Sequence, residues 1–101
     1  MEYSIDSNEH GICVNIIGRL TYNDRNKLSD LINNLAQIST KWIALDLEAL
    51  EFIDSAGVGM LLIVREELVM RDKLLIVSKA TGQVKRVLTV AQLGKMVKTK
   101  D

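Results

Sequence analysis

Apolar segments of strand length alternate with helical segments along most of this chain. Residues 42–47 and 74–77 are almost wholly apolar, and both runs are too short to be typical helices. Before the first run lies a helical stripe, with apolar residues at i, i+3, i+4 and i+7: Leu28, Leu31, Ile32 and Leu35. Because strands that are joined through helices in one sheet run parallel, this alternation predicts an α/β or α+β fold with parallel strand pairs.

Two segments near the N-terminus alternate in hydropathy and predict a hairpin. Tyr3 and Ile5 alternate with polar residues, as expected of an edge strand. A turn is predicted at 9–11, and the apolar residues that follow predict a half-buried strand: Ile12, Val14 and Ile16. We expect Gly18 to end this strand.

The second predicted helix runs from about Ser55 to Arg71. Three of its apolar residues share one face, which we assign to the core: Leu61, Val64 and Leu68. Three others point elsewhere and need another contact: Met60, Ile63 and Met70. We expect these three to contact a partner protein, with burial under a loop or a homodimer contact as the alternatives.

The element order is therefore β-β-α-β-α-β-α(-β), with the last short strand predicted at Met96 and Val97. Residues 48–53 are interpreted as a connection, Thr81 as the cap of the third helix and Gly94 as its end. We predict a single domain over residues 1–101, with a mixed β-sheet of four to five strands. Because so small a domain covers only one sheet face well, the helices are expected to pack mainly on that face.

The composition narrows the classes of function. Thirteen basic and 13 acidic residues leave no net charge, so we expect neither nucleic acid nor a membrane as a partner. The longest apolar run, 60–64, is too short to span a bilayer, and no signal peptide is evident. Cys13 is the only cysteine and cannot form an internal disulfide, which favours a reducing compartment. We therefore predict a cytoplasmic protein.

The segment 52–62 combines the features of a modifiable site. Ser55 directly follows Asp54 where the second helix should begin, and Gly57 and Gly59 lie in its first turns. On spacing alone, Ser55 could be a helix cap, which stabilises a helix by about 1 kcal/mol. It could also accept a phosphate, because the free N–H groups and dipole of a helix N-terminus accommodate an anion. A phosphate there would preserve the fold and place a dianion against any bound partner.

Catalysis is not expected from these residues. A serine nucleophile needs a base within hydrogen-bond reach, and the single histidine, His10, falls in a predicted turn. The glycines complete neither a dinucleotide-binding nor a Walker pattern. Four acidic residues near the motif lack the spacing of a metal-binding loop: Asp46, Glu48, Glu51 and Asp54. We predict no catalytic residue, no cofactor and no metal.

The motif Asp54-Ser55-Ala56-Gly57-Val58-Gly59 resembles the signature of STAS domains, specifically of bacterial anti-sigma factor antagonists. Residues 16–20, 43–47, 84–88 and 93–97 fit other parts of the family pattern, so the resemblance covers nearly the whole chain. It implies the STAS fold. One departure is Ala56, where relatives often carry a second serine or threonine. Ser55 is therefore the single hydroxyl of the motif.

The resemblance implies a partner switch. Such a protein, when unphosphorylated, binds an anti-sigma factor, often also a GHKL-type serine kinase, and thereby frees a sigma factor. The kinase phosphorylates the serine, here Ser55, and a serine phosphatase reverses the reaction. By the same resemblance, Asp54 and Gly57 support the phosphosite. The implied partner-binding residues are Asp54, Ser55, Ala56, Val58, Gly59, Met60 and Ile63.

Other functions fit the same resemblance. STAS domains also serve as accessory subunits of transporters, and these need no phosphoacceptor, so the intact pair Asp54-Ser55 favours the switch. A partner switch can also act on a target other than a sigma factor. A scaffold subunit of a sensory assembly is a further alternative, although its usual mark is an extra sensor domain. A weak homodimer is compatible with all of these.

Overall fold

A six-stranded mixed sheet and three α-helices make up the part of the chain that the computed structural model describes, residues 1–8, 11–91 and 98–100. The strands are β1 (Glu2–Asn8), β2 (Gly11–Leu20), β3 (Trp42–Asp46), β4 (Leu50–Ile53), β5 (Leu74–Ser78) and β6 (Lys98–Lys100). The helices are α1 (Arg25–Ala36), α2 (Ser55–Val69) and α3 (Gly82–Val90), and a 3₁₀ turn at Tyr22–Asp24 precedes α1.

The strands follow the order β1-β2-β3-β5-β6, and β4 pairs with β2 outside this path. Strands β1 and β2 form the predicted antiparallel hairpin, with β1 at the edge. Every other pair is parallel, as expected where helices connect the strands. The predicted α/β fold with a mixed sheet is thus confirmed.

Strand β4 corrects the sequence prediction, because residues 48–53 do not form a simple connection. Gly18 also does not end β2, which continues to Leu20. Instead the register shifts between Gly18 and Arg19, where Gly18 has a φ of +94°, so the last residues of β2 pair with β4. A strand of four residues is too short to show alternation, which is why hydropathy did not reveal it.

The core lies on one face of the sheet. Strands β2, β3 and β5 each bury alternate residues there: Ile12, Val14, Ile16, Ile43, Leu45, Leu75 and Val77. The predicted stripe of α1 is buried against them in full: Leu28, Leu31, Ile32 and Leu35. Paired positions on the opposite face are half-buried, among them Cys13, Ala44 and Ile76. The expectation that the helices cover mainly one face is confirmed.

Helix α2 begins at the predicted residue and buries its predicted core face: Leu61, Val64 and Leu68. Met60, however, corrects the prediction, since it is 8% exposed and belongs to the core. Its burial follows from the packing of α1 against α2, which encloses Met60 beside Leu28 and Ile32. Ile63 and Met70 do point away from the core, with exposures of 55% and 75%.

Thr81 occupies the predicted cap position of α3, with an extended backbone. The predicted end of this helix at Gly94 and the predicted strand at Met96 and Val97 lie outside the described residues. The first two residues of the predicted turn at 9–11 lie outside them too. None of the described helices is both long and apolar enough to cross a membrane.

Candidate functional site

The first turn of α2 is capped by Asp54. This corrects the interpretation of Ser55 as the helix cap. Asp54 has an extended backbone, and its Oδ1 accepts a hydrogen bond of 2.7 Å from the Gly57 N–H. A carboxylate at this position satisfies a free N–H group and also interacts favourably with the helix dipole. Ser55 is therefore the first residue inside the helix, and the helix does not need its hydroxyl.

The side chain of Ser55 is exposed and makes no hydrogen bond with any residue that the structure describes. Ala56 beside it is half-buried and carries no hydroxyl. Ser55 therefore presents the single exposed hydroxyl of the motif. An exposed hydroxyl that stabilises nothing can be modified without loss of a cap or a tertiary contact. Its position in the first turn also gives an added anion the favourable end of the helix dipole.

Gly57 allows the first turn of α2 to lie directly against the end of β2. A Cβ atom at this position would come within 2.5 Å of the Leu20 carbonyl oxygen and 2.7 Å of Ile53 Cγ1. The Asp54 N–H donates to the same Leu20 oxygen at 3.3 Å. The contact fixes where the helix begins relative to the sheet. Gly59 differs, because a Cβ atom there would contact nothing within 4 Å.

Gln83 fastens α3 to the strand that leads into the motif. Its Nε2 donates to the Ile53 carbonyl oxygen at 2.8 Å, and its Oε1 accepts from the Ile53 N–H at 3.1 Å. The side-chain amide thus pairs with β4 as a neighbouring peptide group would. This role was not predictable from the sequence, because a single glutamine in the first turn of a helix has many uses.

A groove of about 530 Å³ opens between the end of β4, the first turns of α2 and one face of α3. Its walls are mainly apolar, and its polar lining residues are Asp54, Ser55, Gln83 and Arg86. Phe52, Val58, Val87 and Val90 form much of its apolar lining. The predicted partner-binding residues lie on α2 or directly before it, whereas this groove is also lined by residues of α3.

A family model described as the STAS domain matches residues 3–101. The chain belongs to the STAS domain family. Two solved anti-sigma factor antagonists share its fold. The one from Mycobacterium paratuberculosis has a TM-score of 0.84 at 19% identity, and the match covers 97% of this chain and 83% of that chain.

The second is SpoIIAA of Bacillus, solved in two forms. The unphosphorylated form has a TM-score of 0.74 at 20% identity, covering 99% of this chain and 88% of that chain. The phosphorylated form has a TM-score of 0.64 at 21% identity, covering 99% and 92%. The STAS domain of a SulP transporter from Vibrio cholerae is also similar, with a TM-score of 0.67 at 17% identity, covering 91% and 71%. At these identities the similarity shows the fold.

The residues predicted to bind a partner are divided between two places on this STAS domain. Asp54, Ser55 and Val58 line the groove beside α3. Ile63 lines a different depression, between α1 and α2, where the largely buried Met60 also lies. The remaining two, Ala56 and Gly59, are half-buried in the first turns of α2.

The acidic residues near the motif do not converge on one point. Asp46 and Glu48 approach Lys79 Nζ at 3.6 Å and 3.9 Å, while the carboxylate of Asp54 caps α2. Within the described ranges, no group of three or more histidine, cysteine, aspartate or glutamate side chains is placed to hold a metal ion.

Cys13 lies on the half-buried sheet face and is not poised as a nucleophile. Burial raises the pKa of its thiol, and the carboxylates of Asp46 and Asp6 raise it further. A thiol with a raised pKa is protonated near neutral pH and therefore reacts slowly. The exposed hydroxyl of Ser55 is the better candidate for covalent modification.

Proposed function

We propose that this STAS domain is an anti-sigma factor antagonist that works as a phosphorylation-controlled partner switch. With Ser55 unmodified, it binds an anti-sigma factor or a GHKL-type serine kinase. Phosphorylation of Ser55 releases that partner, and a serine phosphatase restores binding. The observation that carries the proposal is the exposed, unbonded hydroxyl of Ser55 at the rim of a mainly apolar groove.

A phosphate on Ser55 should leave the fold intact but change the surface of the groove. Asp54 caps α2 through its own carboxylate, so modification of Ser55 removes no hydrogen bond of the helix. The phosphate adds about 1.5 to 2 negative charges beside Phe52 and Val58 in the groove. A partner that packs apolar side chains there must then desolvate a dianion, which is strongly unfavourable.

The relatives support this proposal. Among the proteins of similar fold, SpoIIAA is an anti-sigma factor antagonist that has been solved in unphosphorylated and phosphorylated forms. In the proposed switch, this chain is the substrate of a kinase and has no catalytic residues of its own. Its action on a cytoplasmic circuit requires neither a cofactor nor a metal.

A second candidate is an accessory subunit of a transporter, favoured by the similarity to the SulP transporter STAS domain. In that role the domain would bind a transporter protein whether or not position 55 carries a charge. Sensitivity of binding to a negative charge at Ser55 therefore separates the two functions.

The test uses the wild-type domain, Ser55→Ala and Ser55→Asp as baits in lysate of the source organism, with mass spectrometry of the bound proteins. We expect wild type and Ser55→Ala to retain a GHKL-type kinase or an anti-sigma factor. Ser55→Asp should weaken that binding by about tenfold or more, equivalent to about 1.4 kcal/mol.

The matched control is Ser39→Asp, which places the same charge on another exposed serine, in the segment between α1 and β3. It should bind like the wild type. Equal retention of the partner by Ser55→Asp and wild type would contradict the switch. Transporter proteins retained equally by all the baits would support the accessory subunit.

A further inference from the structure

Arg86 is the cationic side chain of the groove that also contains Ser55. The other polar side chains of the groove are already engaged, Gln83 with the Ile53 backbone and Asp54 with the Gly57 N–H. Arg86 is exposed and makes no ion pair or hydrogen bond with any residue in 1–8, 11–91 or 98–100. Its guanidinium is thus available to a ligand that enters the groove.

The packing of α3 holds Arg86 on the side facing Ser55. Gln83 binds the backbone of Ile53, which lies two residues before Ser55. Residues three and four positions apart share a helix face, so Arg86 and Val87 extend from Gln83 along the groove. The hydrogen bonds of Gln83 therefore fix the arginine and the serine on opposite walls of one cleft.

We propose that Arg86 binds the phosphate of phosphorylated Ser55 across this groove. The inference rests on the proposed function, since it requires a phosphate at Ser55. In the phosphorylation step a bond forms between Ser55 Oγ and the γ-phosphorus of a nucleoside triphosphate. The bond from that phosphorus to the nucleoside diphosphate breaks, and the hydroxyl proton leaves to a base of the kinase or to water.

Charge and shape both favour this ion pair. The carboxylate of Asp54 lies beside the new phosphate, and a nearby arginine offsets the repulsion between the two anions. A planar guanidinium can also donate two parallel hydrogen bonds to phosphate oxygens. The pair would lie within the groove that Phe52, Val58 and Val87 also line, so phosphorylation would partly fill the groove as well as charge it. An aspartate at position 55 is shorter and less charged, and we expect it to imitate this state incompletely.

The test installs phosphoserine at position 55 during translation, which needs neither the kinase nor a partner. The pH midpoint of the second phosphate ionisation is measured by ³¹P NMR in the otherwise wild-type chain and in its Arg86→Gln variant. An arginine that binds the phosphate stabilises the dianion, so its removal raises the midpoint. We expect a rise of about half a pH unit or more, diminished in high salt because ions screen the pair.

Lys85→Gln is the matched control, because it removes the same charge one residue earlier. Lys85 lines a different depression, with Glu48, Lys79 and Thr81. Its variant should show less than half of the change seen in Arg86→Gln. Equal midpoints in the two variants would overturn the proposal. That result would leave the binding test of Ser55→Asp intact, so failure of the ion pair and failure of the switch are distinguishable.

Discussion

At the scale of single residues, Gly57 is a position of the site that has no room for a side chain. The missing side chain leaves room for the Leu20 carbonyl oxygen, 2.5 Å from where a Cβ atom would lie. A backbone oxygen cannot move aside as the end of a flexible side chain can. The start of α2, and with it the direction in which Ser55 faces, depends on this contact.

We therefore expect Gly57→Ala and Gly59→Ala to change stability in opposite directions. Alanine favours a helix by about 1 kcal/mol over glycine, and at Gly59 nothing opposes that gain. At Gly57 the clash should outweigh it and lower the free energy of unfolding by about 1–3 kcal/mol. Urea denaturation followed by circular dichroism measures both. Stabilisation by Gly57→Ala would show that α2 can shift away from β2 at little cost.

The N-cap of α2 could not be assigned to one residue from the sequence. Asp54 and Ser55 are adjacent, and both are good N-cap residues, so propensity alone does not distinguish between them. The choice is made by the Asp54 N–H, which donates to Leu20, and by the close approach at Gly57. Those contacts depend on the position of β2, which lies more than 30 residues earlier in the chain.

At the scale of secondary-structure elements, the placement of α3 decides the shape of the groove. The helix contacts β4, and Gln83 supplies two hydrogen bonds to one residue of that strand. Helices α1 and α2 were predictable because their apolar residues repeat with the helical period over several turns. Strand β4 was not predictable, because its four residues are too few to show a period. The role of Gln83 was not predictable either, because its side chain reaches Ile53 only when α3 packs against β4.

We expect Gln83→Met to loosen α3 while keeping its helical propensity. Methionine has a similar length but leaves the N–H and carbonyl groups of Ile53 unpaired, which costs about 1–3 kcal/mol. Hydrogen exchange of the Ile53 amide should accelerate markedly, and so should exchange within α3. Gln37→Met, at an exposed glutamine after α1, is the control and should leave the exchange of Ile53 unchanged. Unchanged exchange in Gln83→Met would mean that apolar packing alone holds α3.

At the scale of the whole molecule, Asp24 links the chain's first residue to the region before α1. Its Oδ1 accepts from the Met1 ammonium at 2.8 Å, and its Oδ2 accepts from the Thr21 N–H at 2.8 Å. Desolvation raises the pKa of the Asp24 carboxyl, but the hydrogen bonds and the charge of the ammonium outweigh it, and the pKa is lowered overall. A carboxyl with a lowered pKa in the folded state stabilises the fold when ionised.

The free energy of unfolding should therefore depend on pH through Asp24. Its contribution is present above the pKa of the unfolded chain and is lost as the pH falls through the lower pKa of the folded state. We expect Asp24→Asn to destabilise the domain at neutral pH and to differ less from the wild type as the pH falls below the usual pKa of an aspartate. Urea denaturation across pH measures this difference. Asp30→Asn, at an exposed position of α1, is the control, and an equal pH dependence in both variants would contradict the assignment.

The two hydrogen bonds between Gln83 and Ile53 also affect how this domain can bind other proteins. A strand with unpaired N–H and carbonyl groups at its edge can recruit a foreign strand, in regulated binding or in aggregation. At the residue that precedes the motif, a side chain of the same molecule already occupies those two groups. A strand of another protein therefore cannot pair with the backbone of Ile53 unless Gln83 is displaced. A partner that binds beside Ser55, as we propose, would have to contact side chains there and not the backbone of Ile53.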